Sequence, residues 1–111
     1  MYQAISSGEQ QSARLLIEGA LQRSWTVSVF DGEAWAVKNA TTPDAIIDAL
    51  GNTDQDNVVF RDADGKKVGE AVLVWGNSAP ELVSDSSMDD GGAFDTFLEW
   101  HEQAVTAQRL Q

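Results

Sequence analysis

Carboxylates dominate one half of this chain, and their charge determines which partners it can meet. Between Lys67 and Arg109 there is no lysine or arginine, yet there are eight carboxylates: Glu70, Glu81, Asp85, Asp89, Asp90, Asp95, Glu99 and Glu102. They supply most of the formal net charge of −11. A negative field repels nucleic acid and membrane surfaces and attracts basic protein surfaces. The composition therefore argues against direct nucleic-acid binding and membrane association, and it favours a basic protein partner.

Aspartates spaced two apart are typical of calcium-binding loops, and two segments come near the EF-hand pattern. The last position of that loop needs a glutamate that binds the ion through both oxygens. A loop beginning at Asn52 has Ala63 there, and a loop beginning at Phe60 has Ala71. A polar loop and an Asp-Gly hairpin turn explain these aspartates better, so no metal site is predicted.

His101 is the single histidine, and it lies on the apolar face of the last predicted helix. At helical spacing it shares an arc with four apolar side chains: Phe94, Phe97, Leu98 and Val105. A histidine placed there is expected to hydrogen-bond a backbone carbonyl in the core rather than to act as a general base. A triad would also need a nearby serine or threonine, and the spacing nominates none. No catalytic residue is predicted.

The same helix carries an acidic stripe, which consists of Asp95, Glu99 and Glu102 at positions i, i+4 and i+7. Trp100 projects about 120° from the centre of the apolar face. It is a candidate interface anchor, because tryptophan is enriched at binding hot spots. The alternative is a solvated helix face on which Trp100 covers a sheet edge or an adjacent loop. The candidate partner-binding residues are Asp85, Asp89, Asp90, Asp95, Glu99, Trp100 and Glu102.

Eight predicted elements position these residues, in the order α-β-β-α-β-β-β-α. Helical spacing of apolar residues predicts a helix over 7–23, and Pro43 opens a short helix that Gly51 ends. The polar stretch 52–57 is expected to be a loop. Strands are predicted at 25–29, 33–37, 58–61, 68–75 and 81–84, and a long helix at 93–110. Short hairpin connections indicate an α+β fold, with an antiparallel sheet of about five strands and helices packed on one face.

The register of the first hairpin can be argued from its apolar residues. A two-residue loop, Asp31-Gly32, would put Trp25 and Trp35 on opposite faces. A three-residue loop, 30–32, pairs Val27 with Trp35. It gathers five apolar side chains on one face: Trp25, Val27, Val29, Trp35 and Val37. Because a slip of one residue turns every side chain to the other face, we expect the three-residue loop.

The bulk composition sets the class of protein. A length of 111 residues suits one domain, 1–111, with a single core. Cysteine is absent, which excludes disulfides and thiolate sites and fits a reducing compartment. The first residues, MYQAISSGEQQ, lack the basic and apolar regions of a secretory signal. We expect a cytoplasmic protein that uses no cofactor.

Three segments carry a resemblance to known proteins: WTVSVFDGEAWAVK, DAIIDALGNTDQDNVVFRDADGKKVGEAVLVWGN and ELVSD, within residues 24–90. They resemble small uncharacterised acidic proteins encoded by phages, prophages and plasmids of Gram-negative bacteria. The resemblance implies a mobile-element origin, a non-essential accessory role and a location in the host cytoplasm. It brings no catalytic residue with it.

Three functions follow from these patterns, and the first is favoured. It is a non-enzymatic inhibitor of a host nucleic-acid-handling complex, of the anti-CRISPR or anti-restriction type, whose acidic half imitates part of a DNA duplex. Full imitation would need a homodimer or a local concentration of charge. The second is a structural or regulatory interaction module that acts as an oligomer. The third is a metal-dependent hydrolase that uses Asp85, Asp89 and Asp90.

Overall fold

Three helices pack on one face of a five-stranded antiparallel sheet, which confirms the predicted α+β class and element order. The computed structural model describes residues 7–51, 55–76, 82–88 and 92–109. The helices are α1 (Ser7–Gln22), α2 (Pro43–Ala49) and α3 (Ala93–Arg109). The strands are β1 (Thr26–Phe30), β2 (Trp35–Ala40), β3 (Gln55–Arg61), β4 (Lys67–Val74) and β5 (Val83–Met88).

The strand order is β2-β1-β3-β4-β5, and each neighbouring pair is antiparallel. The last three strands form a meander, and β4 is the longest strand at eight residues. Strands β2 and β5 are the two edges. No helix in the described part of the chain is long and apolar enough to cross a membrane.

The core lies between the sheet and α1, which packs against both α2 and α3. The predicted apolar face of α1 is buried, through Ala13, Leu16, Ile17 and Ala20. Four aromatic rings fill the centre, with centroids 5.1 to 6.4 Å apart: Trp25, Phe60, Phe94 and Phe97. Each large apolar side chain buried in this way contributes about 1.5–3 kcal/mol. Helix α3 therefore supplies half of the aromatic centre.

Two glycines permit close approach between elements. A Cβ built on Gly19 in the middle of α1 would lie 2.7 Å from Trp100 Cη2, and one on Gly69 of β4 would lie 2.8 Å from Phe94 Cε2. Real Cβ atoms do not come so close to a ring. Gly19 costs α1 up to about 1 kcal/mol in helix propensity. That cost is offset because α3 can then pack directly on the α1 backbone.

The first hairpin differs from the predicted register. Phe30 pairs with Trp35 and Val29 with Val37, and the pairing is irregular on both sides of Val29. The expected pairing of Val27 with Trp35 is therefore wrong. The physical reason is Asp31. Its Oδ1 accepts the N–H of residue 33 at 2.9 Å and of residue 34 at 3.0 Å, which stabilises a longer turn.

The irregular pairing separates Trp35 from the other residues of its predicted face. Val37 is packed against the core as expected, but Trp35 lies against Phe30 with ring centroids 5.3 Å apart and is 44% exposed. Since Phe30 is adjacent to the core-facing Val29, it points to the face of the sheet without helices. Trp35 therefore belongs to the helix-free face.

Strand boundaries also differ from expectation, most of all in β2, β3 and β5. β2 begins at Trp35 and runs to Ala40, rather than spanning 33–37. β3 begins at Gln55, so residues 55–57 of the expected loop belong to the sheet. β5 runs to Met88 rather than ending at 84. The polar residues beyond 84 carry no strand pattern, but an edge strand tolerates exposed polar side chains such as those of Ser84, Asp85, Ser86 and Ser87.

Candidate functional site

The acidic stripe lies on the flank of α3 that faces away from α1. Asp95, Glu99 and Glu102 are exposed, as the sequence predicts. Trp100 contacts α1 near Gly19, and at 100° per residue the stripe lies on the opposite side of the helix axis. The stripe is therefore turned away from α1 and exposed to solvent.

Strand β5 borders this flank. Val83 at its beginning and Leu98, His101 and Glu102 of α3 line one cavity of about 200 Å³. Asp85, further along β5, is exposed, and its Oδ1 accepts the N–H of Ser86 at 2.8 Å. Asp85 pairs with Val72 of β4, which lies between the core-facing Ala71 and Leu73, so Asp85 points to the helix-free face and is not brought together with the stripe. We call Asp95, Glu99 and Glu102 the acidic edge. The predicted Asp89 and Asp90 lie outside the described residues.

The charges of the acidic edge are not compensated. Three ion pairs join the described side chains, at 3.5 to 3.6 Å, and their carboxylates are Glu18, Asp44 and Glu70. None of the three reaches the acidic edge. Among the ion pairs of residues 7–51, 55–76, 82–88 and 92–109, none neutralises the three exposed carboxylates of the acidic edge, so they present their charge to solvent. A neighbouring basic surface would meet them without having to break an existing ion pair.

Trp100 is half-buried and packs within the molecule. Its ring stacks on Phe97, with centroids 6.0 Å apart and planes at 20°, and the Arg23 guanidinium lies 5.1 Å from its centroid. Arg23 also donates to the carbonyl of Gly19 at 2.9 Å. Trp100 therefore covers α1, and not a sheet edge or a loop as the alternative suggested. Its role as an interface anchor stays a prediction.

His101 takes the predicted structural position. It is buried, and its Nε2 lies 2.8 Å from the carbonyl oxygen of Ser12 and 3.2 Å from Ser12 Oγ. A carbonyl can only accept, so Nε2 carries the proton and donates it. Burial lowers the pKa of His101, although the Ser12 carbonyl and the Glu102 charge oppose this shift. A protonated Nε2 cannot remove a proton from Ser12, which is itself only 1% exposed.

The fold supplies the serine that sequence spacing could not nominate, because Ser12 and His101 are 89 residues apart. Their contact joins α1 to α3 and has the geometry of a structural hydrogen bond. No arrangement for nucleophilic catalysis is found at this pair. What it provides is a polar link between two helices inside an otherwise apolar interface.

Asp56 is the most deeply buried of the polar residues that the sequence does not predict to be buried. It is fully buried, and its Oδ2 accepts the N–H of Gly51 and the Nε1–H of Trp75, both at 2.8 Å. Its Oδ1 has no hydrogen-bond partner. Burial raises the pKa of Asp56 above that of an ordinary aspartate. The signal was the alternation of Asp56 with Val58 and Phe60, which places all three on the core face.

Asp56 does not belong to a group of ligands for a cation. Among the residues that the structure describes, no three histidine, cysteine, aspartate or glutamate side chains come together as a metal site would require. Asp56 instead ties the segment after α2 to the end of β4.

Neither a known protein family, nor a curated protein, nor a solved structure is found to match the chain.

Proposed function

We propose that this protein is a non-enzymatic binding protein that inhibits a nucleic-acid-handling complex of a host cell. In this proposal the acidic edge occupies a basic surface of the complex that otherwise binds nucleic acid. The observation that carries the proposal is the uncompensated charge of Asp95, Glu99 and Glu102, which are exposed along one flank of α3. Complementary charge accelerates encounter and selects the partner.

Charge density sets how much of a duplex the acidic edge can imitate. From Asp95 to Glu102 the axis of α3 rises about 10 Å. Over that length one strand of duplex DNA carries about three charges, and the stripe also carries three. The molecule measures 35 Å along its longest axis, over which a full duplex would carry about 20 charges. We therefore propose imitation of one strand rather than of a whole duplex.

The mobile-element origin implied by the sequence resemblance is consistent with this activity. An accessory protein that blocks restriction or CRISPR complexes would favour the element that encodes it. The target class in this proposal is accordingly a host-defence complex with a basic nucleic-acid channel. A homodimer would double the imitated length, if its symmetry placed the two acidic edges end to end.

The first experiment is an affinity capture from bacterial lysate at low and moderate salt, with partners identified by mass spectrometry. A nucleic-acid-binding complex should be captured at low salt and lost as salt rises, because screening weakens the attraction between charges. Capture of this complex should also be lost when Asp95, Glu99 and Glu102 are all replaced by Lys. Purified complex should then bind its nucleic acid less well when the wild-type protein is added.

A matched control distinguishes the acidic edge from general acidity. Replacing Glu18, Glu33 and Asp64 by Lys gives the same change in net charge on exposed side chains elsewhere. This control loses one exposed ion pair, which contributes little, and it should still capture the complex. Equal loss in both variants would overturn the acidic edge as the interface. Capture of nothing except the protein itself would favour the alternative of a self-associating structural module.

A further inference from the structure

The helix-free face of the sheet holds a groove of about 550 Å³ on the side of β2. Its floor is formed by Thr26 and Ser28 of β1 and by Val59 of β3. Trp35 and Lys38 line it from β2, and Arg61 lines it where β3 ends. The volume lies within the range of ordinary small-molecule sites. The groove shares no residue with the acidic edge.

The groove concentrates positive charge in a chain whose formal net charge is −11. Lys38 and Arg61 both line it, and neither forms one of the ion pairs found among the described residues. Lys38 Nζ lies 5.6 Å from the centre of the Trp35 ring, and Arg61 donates to the carbonyl of Gly65 at 3.2 Å. Both side chains are therefore held beside the groove, and their positive charges can interact with a bound anion.

One carboxylate, that of Asp62, also lines the groove. Its Oδ1 accepts the N–H of Asp64 at 2.9 Å and of Lys66 at 3.0 Å, so that oxygen is engaged in the β3–β4 turn. These two donors offset part of its charge. The groove as a whole keeps two cations against one carboxylate.

Trp35 adds a flat apolar surface to the charged groove. Among the described residues it is the one large hydrophobic side chain that is exposed. Phe30 supports the ring from within the sheet, at 5.3 Å between centroids. An exposed aromatic ring held in place is a suitable platform for stacking, and Lys38 can leave the ring when an anion offers it a stronger interaction.

We infer that this groove binds a small anion that carries a flat ring, with the size and charge of a mononucleotide. The ring stacks on Trp35, and the anionic group lies between Lys38 and Arg61. A long nucleic acid is disfavoured because the field of the whole chain repels a polyanion. A single nucleotide carries few charges, so the local cations of the groove outweigh that repulsion.

An added peptide strand fits this surface less well. Strand β2 is an edge, but its pairing with β1 is irregular at two points, and Asn39 has a positive φ of 47°. Such irregularities interrupt the regular hydrogen-bonding edge that strand addition requires. The groove also lies on the face of the sheet, where a compact ligand can enter.

The test is a titration followed by amide and indole NMR signals, with three probes at equal ionic strength: AMP, adenosine and inorganic phosphate. AMP should shift the Trp35 indole signal and the backbone signals of Ser28 and Arg61. Adenosine lacks the anion and phosphate lacks the ring, so each should bind at least about tenfold more weakly. Binding of phosphate as tight as that of AMP would overturn the stacking role of Trp35.

Three variants complete the test. Lys38→Gln and Arg61→Gln should each weaken AMP binding about tenfold, while Lys66→Gln, an exposed lysine outside the groove, should not. The spectrum of each free variant shows whether it remains folded. No shift with AMP at millimolar concentration would overturn the inference, and so would equal effects of all three variants. If a glutamate pentapeptide binds as tightly as AMP, the inferred ligand class is overturned in favour of an acidic peptide.

Discussion

At the scale of single residues, position outweighs intrinsic preference. By helix propensity Gly19 should destabilise α1, yet the Trp100 ring occupies the space that a side chain would need. Asp56 lies in a segment that the sequence predicts to be a loop, yet it is fully buried, and one of its carboxylate oxygens accepts two N–H hydrogen bonds. Each residue is explained by a neighbour distant in sequence.

The first prediction concerns Gly19→Ala. Helix propensity alone would stabilise this variant by up to about 1 kcal/mol. The added Cβ would instead displace Trp100, so we expect a loss of about 1–3 kcal/mol in the free energy of unfolding. Denaturant unfolding measures it. In a Trp100→Leu background the same substitution should cost less, and a stabilised Gly19→Ala variant would contradict the contact between the two helices.

The second prediction concerns the pH dependence that Asp56 imposes. Burial raises its pKa, so over the range above the usual aspartate value the folded state binds more protons than the unfolded state. Its contribution to stability is therefore complete below the unfolded pKa and is lost as pH rises through the folded pKa. Urea unfolding of the wild type and Asp56→Asn across that range measures the difference.

Asparagine keeps one acceptor oxygen for Gly51 and Trp75 but has no charge to bury. We expect the stability of the wild type relative to Asp56→Asn to increase as pH falls. The opposite trend would mean that the two hydrogen bonds to Oδ2 outweigh the cost of burial and that the folded pKa is lowered.

At the scale of elements, the sequence predicts those that depend on local pattern. The apolar spacing of α1, the Pro43 start of α2 and the exposed stripe of α3 follow from helical geometry. The first hairpin is predicted incorrectly, because the Asp31 side chain sets the turn and counting apolar residues does not detect that. The contacts of Trp100 with α1 and of His101 with Ser12 depend on tertiary packing, which no local pattern contains.

The third prediction concerns the acidic stripe as part of α3. Replacing Asp95, Glu99 and Glu102 by Lys should leave the free energy of unfolding within about 0.5 kcal/mol of the wild type. Loss of the favourable charge of Asp95 in the first turn of the helix is opposed by reduced repulsion. Thermal and urea unfolding check this. A large loss would show that the stripe stabilises the fold, and capture experiments with this variant would then need milder substitutions.

At the scale of the whole molecule, electrostatic self-repulsion is the main feature. The net charge is −11, and the three ion pairs among the described side chains are exposed or partly exposed. Exposed pairs stabilise little. Like charges spread over a body of 35 × 30 × 23 Å repel one another at low salt, since the screening length is then comparable to the molecule.

The fourth prediction follows from that repulsion. The melting temperature should rise as sodium chloride increases from about 10 mM to about 150 mM, because the screening length falls from about 30 Å to about 8 Å. Scanning calorimetry or circular dichroism measures the change. The stripe-reversed variant carries less net charge and should show a smaller rise. A melting temperature that falls with salt would mean that attractive pairs outweigh repulsion.

The contribution of α3 to the aromatic centre has a consequence for the timing of folding. Trp25 lies 5.1 Å from Phe97 and 6.4 Å from Phe94, between ring centroids, across some seventy residues of chain. On the ribosome, β1, β3 and β4 are therefore complete well before the rings that cover them have been made. At about 5–20 residues per second, synthesis takes about 3–13 s from the end of β1 to Phe97, and about 1–4 s from the end of β4 to Phe94. Until α3 emerges, the nascent sheet exposes the part of its apolar face that α3 covers, so early engagement by a chaperone would protect this protein more than one whose core closes locally.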